Sequence, residues 1–116
     1  MKYFKESELE CKCGCGNNNI QHELKVMLDT AREIAGTSFV INSATRCQEH
    51  NIKVGGSPTS SHLSGVAVDI RADNSSKRYK VVKGLTKAGF TRIGIGKNFI
   101  HVDNDKSKSQ EVIWLY

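Results

Sequence analysis

Two short segments of alternating residues constrain the fold of this 116-residue chain more than any other feature. In residues 66–71, apolar side chains occupy every second position and Asp69 falls between two of them. In residues 99–103, His101 shares one face with Phe99 and Asp103, while Ile100 and Val102 take the other. This period of two is typical of β-strands with one apolar and one polar face. If the two strands are neighbours, Asp69 and His101 point into the same space.

A third polar residue lies close before the first of these strands, in the motif Ser60-x-His62-x-x-Gly65-x-Ala67-x-Asp69. Gly65 and the small Ala67 would let the loop fold the His62 imidazole back toward the strand. Two imidazoles and a carboxylate can hold one divalent metal and leave a fourth position for water, as in catalytic sites. Zinc suits this set of donors, although residue type alone also permits manganese or iron.

The rest of the chain predicts a compact arrangement of helices and strands. Apolar residues at three- and four-residue steps predict a helix over residues 20–35 that ends at Gly36. A second helix begins near Asn74 or Ser75 and ends at Gly89, with Tyr79, Val82, Leu85 and Ala88 predicted on its inner face. A shorter helix is predicted over residues 46–54, and further strands over residues 39–42, 92–95 and 112–116.

We therefore expect a single domain, residues 1–116, of the α+β class. Its small antiparallel sheet would carry the two main helices on one face and the metal site on the other. The predicted core between sheet and helices consists of Phe39, Ile41, Val66, Val68, Ile70, Ile100 and Val102.

Three segments follow one another along the chain: Ser43 through Arg46 to Gly55-Gly56, the ten-residue motif, and the downstream His101-x-Asp103. Together they resemble the zinc D-alanyl-D-alanine carboxypeptidase family of peptidoglycan peptidases, which includes phage endolysins and shares its fold with the hedgehog signalling domain. The resemblance implies that His62, Asp69 and His101 bind Zn²⁺. It also implies that Arg46 binds a carboxylate of the substrate peptide.

The acid/base residue is less directly indicated. Several branches of the family carry an acidic residue three positions before the last histidine, where this chain has Asn98. Asp103 is the nearest replacement, and it either acts as general base or orients a metal ligand. We count Asp103 and Arg46 as catalytic candidates, and Arg46, Ser60 and His50 as substrate-binding candidates.

The resemblance implies a zinc metallopeptidase that hydrolyses stem or cross-link peptides of bacterial peptidoglycan through a metal-activated water. Carboxypeptidase, endopeptidase and L-alanyl-D-glutamate cleavage share these ligands, so the sequence does not identify which peptidoglycan bond is cut. Asn98 favours the alternative, a non-catalytic metal-containing module that binds the cell wall or a protein.

Composition narrows the choice of partners. The net charge of +5 and the pI of about 9.1 favour anionic partners such as cell-wall polymers. Aromatic residues make up only 7% of the chain and do not interleave with a basic stripe, so nucleic acid is not an expected partner. We expect a monomer that does not insert into membranes.

The first residues run directly into charged side chains without the apolar region of a secretory signal. We therefore expect synthesis in the cytoplasm without a signal peptide and action at the bacterial cell wall, as a phage lysin or on a phage particle.

The four cysteines are unevenly placed: Cys11, Cys13 and Cys15 alternate, and Cys47 stands beside Arg46. Their spacing permits a second metal site or disulfides and decides neither, since Cys-x-Cys differs from the Cys-x-x-Cys of common structural zinc sites. We expect some of them to tether the N-terminal segment to the loop near Cys47, as packed thiols or as one bridge.

Overall fold

A computed structural model describes residues 2–116 of the chain. It contains a short 3-10 helix at Glu6–Leu9, three α-helices and five β-strands. In chain order the elements are α1 (His22–Ala35), β1 (Ile41–Ser43), α2 (Gln48–Lys53), β2 (Ala67–Arg71), α3 (Ser75–Lys87), β3 (Arg92–Ile95), β4 (Phe99–Asp103) and β5 (Val112–Leu115). Within the described residues, no helix is both long and apolar enough to cross a bilayer.

The five strands form one sheet in the order β1-β2-β4-β3-β5. Strands β2 and β4 are antiparallel neighbours, and their register pairs Asp69 directly with His101. The predicted adjacency of the two alternating segments is therefore confirmed. Cross-strand partners project from the same face of a sheet, so this register alone brings the carboxylate and the imidazole together.

The sheet is mixed, and this corrects the expectation of a purely antiparallel one. Strand β5 pairs in parallel with β3, from Arg92 opposite Val112 to Ile95 opposite Leu115. The reason is topological. Because β4 runs antiparallel to β3, it ends beside the start of β3, and a strand that begins there on the far side of β3 runs in the same direction as β3.

The α+β class, with helices on one face of the sheet, is confirmed. The core lies between the sheet and helices α1 and α3, and it includes six of the seven predicted residues: Phe39, Ile41, Val68, Ile70, Ile100 and Val102. The seventh, Val66, is only half-buried because it precedes β2. Each large apolar side chain that is fully buried contributes roughly 1.5–3 kcal/mol.

The inner face of α3 agrees with the prediction except at Tyr79, because Leu85 is buried and Val82 and Ala88 pack half-buried against the core. Val81, Gly84 and Leu85 are buried, whereas Tyr79 is 68% exposed. Gly84 explains the difference, since a Cβ atom there would collide with the backbone oxygen of Ala31 on α1. The two helices are in close contact at a residue without a side chain, and a count of apolar residues does not detect such a contact.

Candidate metal centre

Three predicted ligands meet on the sheet face that is opposite the helices. Asp69 projects from β2 and His101 from the paired position on β4, while His62 comes from the loop before β2. Asp69 Oδ1 lies 3.2 Å from His62 Nε2 and 2.9 Å from His101 Nδ1. The ligand atoms of all three residues lie within 4.8 Å of one another.

The His62 ring is held by the backbone of the segment after β1. Its Nδ1 lies 2.6 Å from the carbonyl oxygen of Ala44, and the Arg46 amide donates to the His62 carbonyl at 3.0 Å. Because a carbonyl only accepts, Nδ1 carries a proton, so Nε2 is the nitrogen that can give up its proton and bind a metal with its lone pair. Gly65, with a φ of 69°, lets the loop turn back into β2.

The His101 ring is held from its far side by a buried ion pair. Its Nε2 lies 2.7 Å from Asp103 Oδ2, and Asp103 Oδ1 accepts from Arg92 Nε at 2.7 Å. The Asp103 side chain is 1% exposed and that of Arg92 is 10% exposed. A carboxylate that accepts from one ring nitrogen leaves the other free to bind a metal, and this arrangement is common around metal-ligating histidines.

The charges in the site support one another. Burial opposes ionisation of Asp69, but hydrogen bonds from His101 and His62 outweigh it and hold the pKa of Asp69 well below its usual range. Burial likewise opposes protonation of His101, yet its hydrogen bonds to Asp103 and Asp69 raise its pKa. A metal ion must displace the proton that His101 shares with Asp69, so metal binding is expected to weaken as the pH falls.

The donor set fits a zinc ion. Two neutral imidazole nitrogens with fixed tautomers and one ionised carboxylate oxygen converge on one point, and zinc prefers these ligand types. The point lies on an open cleft of about 370 Å³. Three protein ligands beside a solvent-accessible space leave a coordination position for water or substrate.

Arg46 forms one wall of this cleft. Its guanidinium donates to Ser43 Oγ at 3.1 Å and to Asn51 Oδ1 at 3.2 Å, and it lies 3.5 Å from Asp69 Oδ2. The Arg46 side chain is 13% exposed. The sequence-predicted Ser60 also lines the cleft, where its hydroxyl accepts from the His62 amide at 3.2 Å.

The predicted substrate contact His50 lies elsewhere. It lines a separate surface depression together with Cys13 and Cys15. Asn98 is likewise not among the residues that line the cleft. The short helix α2 turns Asn51 toward Arg46. Successive residues of a helix point in different directions, so the neighbouring His50 points away from this contact. This placement does not support a substrate contact for His50.

Several residues of the site were not predicted from the sequence. Trp114 of β5 and Tyr116, the residue just after β5, form an aromatic wall of the cleft. Arg92 links this wall to the metal point, because its guanidinium stacks 4.9 Å from the Trp114 ring while its Nε holds Asp103. The alternation of Trp114 and Tyr116 at the end of β5 was the available signal, but it depends on knowing where β5 lies.

The loop after β4 is tied to the loop that carries His62. Asp105 accepts from Ser61 Oγ at 2.7 Å and from the Ser107 amide at 3.1 Å. Burial opposes ionisation, but the hydrogen bonds from Ser107 and Ser61 and the charge of Lys108 outweigh it and lower the pKa of Asp105 to about 2.

The four cysteines form a second cluster, away from the cleft. All four are free thiols, and the N-terminal segment that carries three of them reaches Cys47 as expected. Burial opposes ionisation of the Cys11 thiol, but the backbone amides of Cys13 and Cys47 and the neighbouring thiols outweigh it and lower its pKa to about 7.

A His-Asp-His site in an open cleft, with one imidazole oriented by a carboxylate, is characteristic of a metallohydrolase. The comparison with known families narrows this class. A family model described as Peptidase M15 matches residues 2–103, so the chain belongs to that peptidase family and the resemblance stated from the sequence is confirmed. Among curated proteins, none matches the chain. Family membership makes metal-dependent hydrolysis of peptide bonds the activity expected of this chain.

Proposed function

We propose that this protein is a zinc-dependent peptidase that hydrolyses peptide bonds in the stem or cross-link peptides of bacterial peptidoglycan. The observation that carries the proposal is the convergence of His62 Nε2, Asp69 Oδ1 and His101 Nδ1 at the floor of an open cleft. Membership of the Peptidase M15 family supports the reaction class. The peptidoglycan substrate is part of the proposal and rests on the same family relationship.

In this proposal His62, Asp69 and His101 hold the metal. When bound, zinc supplies Lewis-acid chemistry, because it activates a water as nucleophile and polarises the scissile carbonyl. The protein contributes rigidity. Each imidazole is locked in one tautomer by a buried hydrogen bond, so the ligands need little rearrangement when the metal binds.

Arg46 positions the substrate. Its guanidinium is fixed from two sides by Ser43 and Asn51 and borders the metal point at Asp69. A planar guanidinium can hold a peptide carboxylate through two parallel hydrogen bonds, which a lysine cannot reproduce. The free carboxylates of peptidoglycan peptides are the groups that it would bind.

We assign Asp103 to positioning His101 rather than to direct proton transfer. Both of its oxygens are already engaged, one by His101 and one by Arg92, and its side chain is almost completely buried. A general base must be within hydrogen-bonding distance of the reacting water. The carboxylate of Asp103 instead faces the ring nitrogen that points away from the metal.

The same observation favours a second candidate, a metal-containing module that binds the cell wall or a protein without turnover. Asp69 and Asp103 are the two carboxylates that line the cleft, and both are engaged by histidines. A site without a free carboxylate still binds metal and peptide, but it has no obvious proton acceptor.

Digestion of purified peptidoglycan separates the two candidates. The protein is incubated with cell walls, with and without a chelator, and soluble fragments are identified by mass spectrometry. Release of peptides that stops with the chelator and returns with added zinc is expected of the peptidase. Binding to the walls without release supports the module. The masses of the fragments also identify the bond that is cut.

A matched pair of variants controls for folding. His62→Ala removes a proposed ligand, whereas His22→Ala removes an exposed histidine at the start of α1. The first variant should release no peptide and the second should match the unmodified protein. Equal activity in both variants would refute the assignment of the site.

A further inference from the structure

The cysteine cluster, formed by Cys11, Cys13, Cys15 and Cys47, has the form of a metal site that is separate from the cleft. Its four sulfurs lie within 4.8 Å of one another. Cys11 Sγ is 3.4 Å from Cys13 Sγ and 3.8 Å from Cys47 Sγ, and Cys13 Sγ is 3.5 Å from Cys47 Sγ. Three residues come from one loop and the fourth lies more than thirty positions further along the chain.

These separations can be compared with the two covalent arrangements that cysteines form. A zinc ion with four sulfurs at about 2.3 Å gives a tetrahedron whose sulfur–sulfur edges are about 3.8 Å. A disulfide requires about 2.05 Å and joins sulfurs only in pairs. The triangle of Cys11, Cys13 and Cys47 has edges of 3.4–3.8 Å, and Cys15 supplies a fourth sulfur within reach. The cluster is close to the size of a tetrahedral site.

The local backbone explains how an alternating Cys-x-Cys-x-Cys segment can surround one point. In an extended strand the three sulfurs would lie in a row on one face. Here the segment is a turn, closed by the Cys11 amide donating to the Asn17 carbonyl at 2.7 Å. Gly14, with a φ of 83°, permits the bend between the outer cysteines. The unusual spacing is therefore no obstacle to a common centre.

Backbone amides point at the sulfurs. The Cys47 amide donates to Cys11 Sγ at 3.4 Å, and the His50 amide donates to Cys47 Sγ at 3.4 Å. Hydrogen bonds to sulfur stabilise the thiolate form that binds metals. One basic residue, Lys53, and one acidic residue, Glu49, line the same depression as Cys13 and Cys15.

We propose that Cys11, Cys13, Cys15 and Cys47 bind a structural zinc ion as four thiolates, so that the chain holds two zinc ions with different roles. Binding converts four thiols to thiolates and releases four protons, and the resulting centre carries a net charge of −2. No redox partner is required. The surrounding chain, with a net charge of +5, accommodates this negative centre.

The position of the cluster gives it a function in the fold. Cys47 follows Arg46 directly and caps the N-terminus of α2, which carries Asn51, the residue that fixes the Arg46 guanidinium. Among the three cysteines of the loop, only Cys11 is buried. A metal that binds all four residues would therefore attach the N-terminal loop to the segment that shapes the substrate side of the cleft.

Zinc content and cobalt spectroscopy test the proposal on the full chain, purified anaerobically. The unmodified protein should contain two equivalents of zinc. His62→Ala should retain one equivalent, and a Cys13→Ser/Cys15→Ser variant should retain the other. With cobalt in place of zinc, His62→Ala should show the near-ultraviolet charge-transfer band of sulfur-bound cobalt, and the cysteine variant should lack it.

The outcomes are independent of peptidase activity. A His62→Ala protein that binds no zinc and shows no charge-transfer band, with four thiols that react freely with a thiol reagent, would overturn the proposal. An intact mass two hydrogens lower than that of the reduced chain would also overturn it, because it reveals a disulfide. An inactive protein that still holds the sulfur-bound metal would count against the proposed function alone. Because the decisive spectrum is that of His62→Ala, the test does not depend on whether the cysteine variant folds.

Discussion

Replacing Asp103 by asparagine is expected to weaken zinc binding about 10- to 100-fold, because it removes the charge that orients His101. The asparagine oxygen can still accept from His101 Nε2, now 2.7 Å from Asp103, but as a neutral acceptor. A hydrogen bond to a charged group contributes about 1.5–3 kcal/mol and a neutral one about 0.5–1.5 kcal/mol. The difference, about 1–1.5 kcal/mol, corresponds to roughly tenfold in affinity.

The second oxygen of Asp103 increases the effect. It accepts from Arg92 Nε at 2.7 Å, and the amide nitrogen of asparagine would place a donor against this donor. Both side chains are buried, so the repulsion is little screened. Alanine would remove the hydrogen-bonding side chain as well as the charge, and breaking a buried ion pair in this way costs about 3–5 kcal/mol, which is why asparagine is preferred to alanine for this test.

The assay separates the two roles that the sequence left open for Asp103. The dissociation constant for zinc is measured by competition with a chelating dye, and kcat is measured on a muropeptide at saturating zinc. If Asp103 positions His101, the dissociation constant rises and kcat at saturating zinc changes only a few-fold. A kcat at least a hundredfold lower, with unchanged zinc affinity, would refute this reasoning and make Asp103 the general base.

Asp105→Asn provides the matched control. It removes the same charge two positions further along the chain, but Asp105 bonds to Ser61 and Ser107 and makes no contact with a proposed ligand side chain. Its zinc affinity should stay within a few-fold of that of the unmodified protein. An equal loss of affinity in both variants would indicate that only the net charge near the cleft matters.

Further variants test other parts of the site. His62→Ala should abolish peptide release and remove one equivalent of metal, as measured by elemental analysis. Arg46→Lys should raise KM at least tenfold with little change in bound zinc, because the two-point hold on a carboxylate is lost; an unchanged KM would remove Arg46 from the substrate site. Gly56→Ala should have a similar effect, because the added Cβ would overlap Asn51 Oδ1, which holds Arg46. The folded-state pKa of Asp105, about 2, lies below its usual value of 3.8, so its ionised form stabilises the fold above about pH 4 and this contribution is lost as the pH falls toward 2. Asp105→Asn should therefore lower the free energy of unfolding at pH 7 by up to about 2 kcal/mol and flatten its dependence on pH between 4 and 2, as measured by urea unfolding.

The sequence predicted that Asp69 and His101 lie together because their meeting follows from strand periodicity. Once residues 66–71 and 99–103 are assigned as neighbouring strands, Asp69 and His101 can occupy only the polar face, and the observed register pairs them directly. The predicted core followed from the same alternation. These features depend on local pattern and on one assumption about neighbours, so sequence alone was sufficient.

The features that were missed depend on how distant parts of the chain meet. The parallel pairing of β5 is set by the path of the connection after β4, which no local pattern records. The outward position of Tyr79 follows from the close approach at Gly84. The engagement of Asp103 by Arg92 joins two residues eleven positions apart that have no shared motif. Pattern alone could not distinguish a base from a positioning carboxylate.

The wall formed by Trp114 and Tyr116 has a consequence for how the proposed substrate preference can be altered. The match to the family ends at residue 103, so every proposed ligand lies inside it, while both aromatic rings lie beyond it. Substitutions in the last five residues would reshape this wall of the cleft and leave the proposed metal ligands in place. Grafting alternative C-terminal strands onto residues 1–111 is therefore a direct way to redirect the choice of substrate.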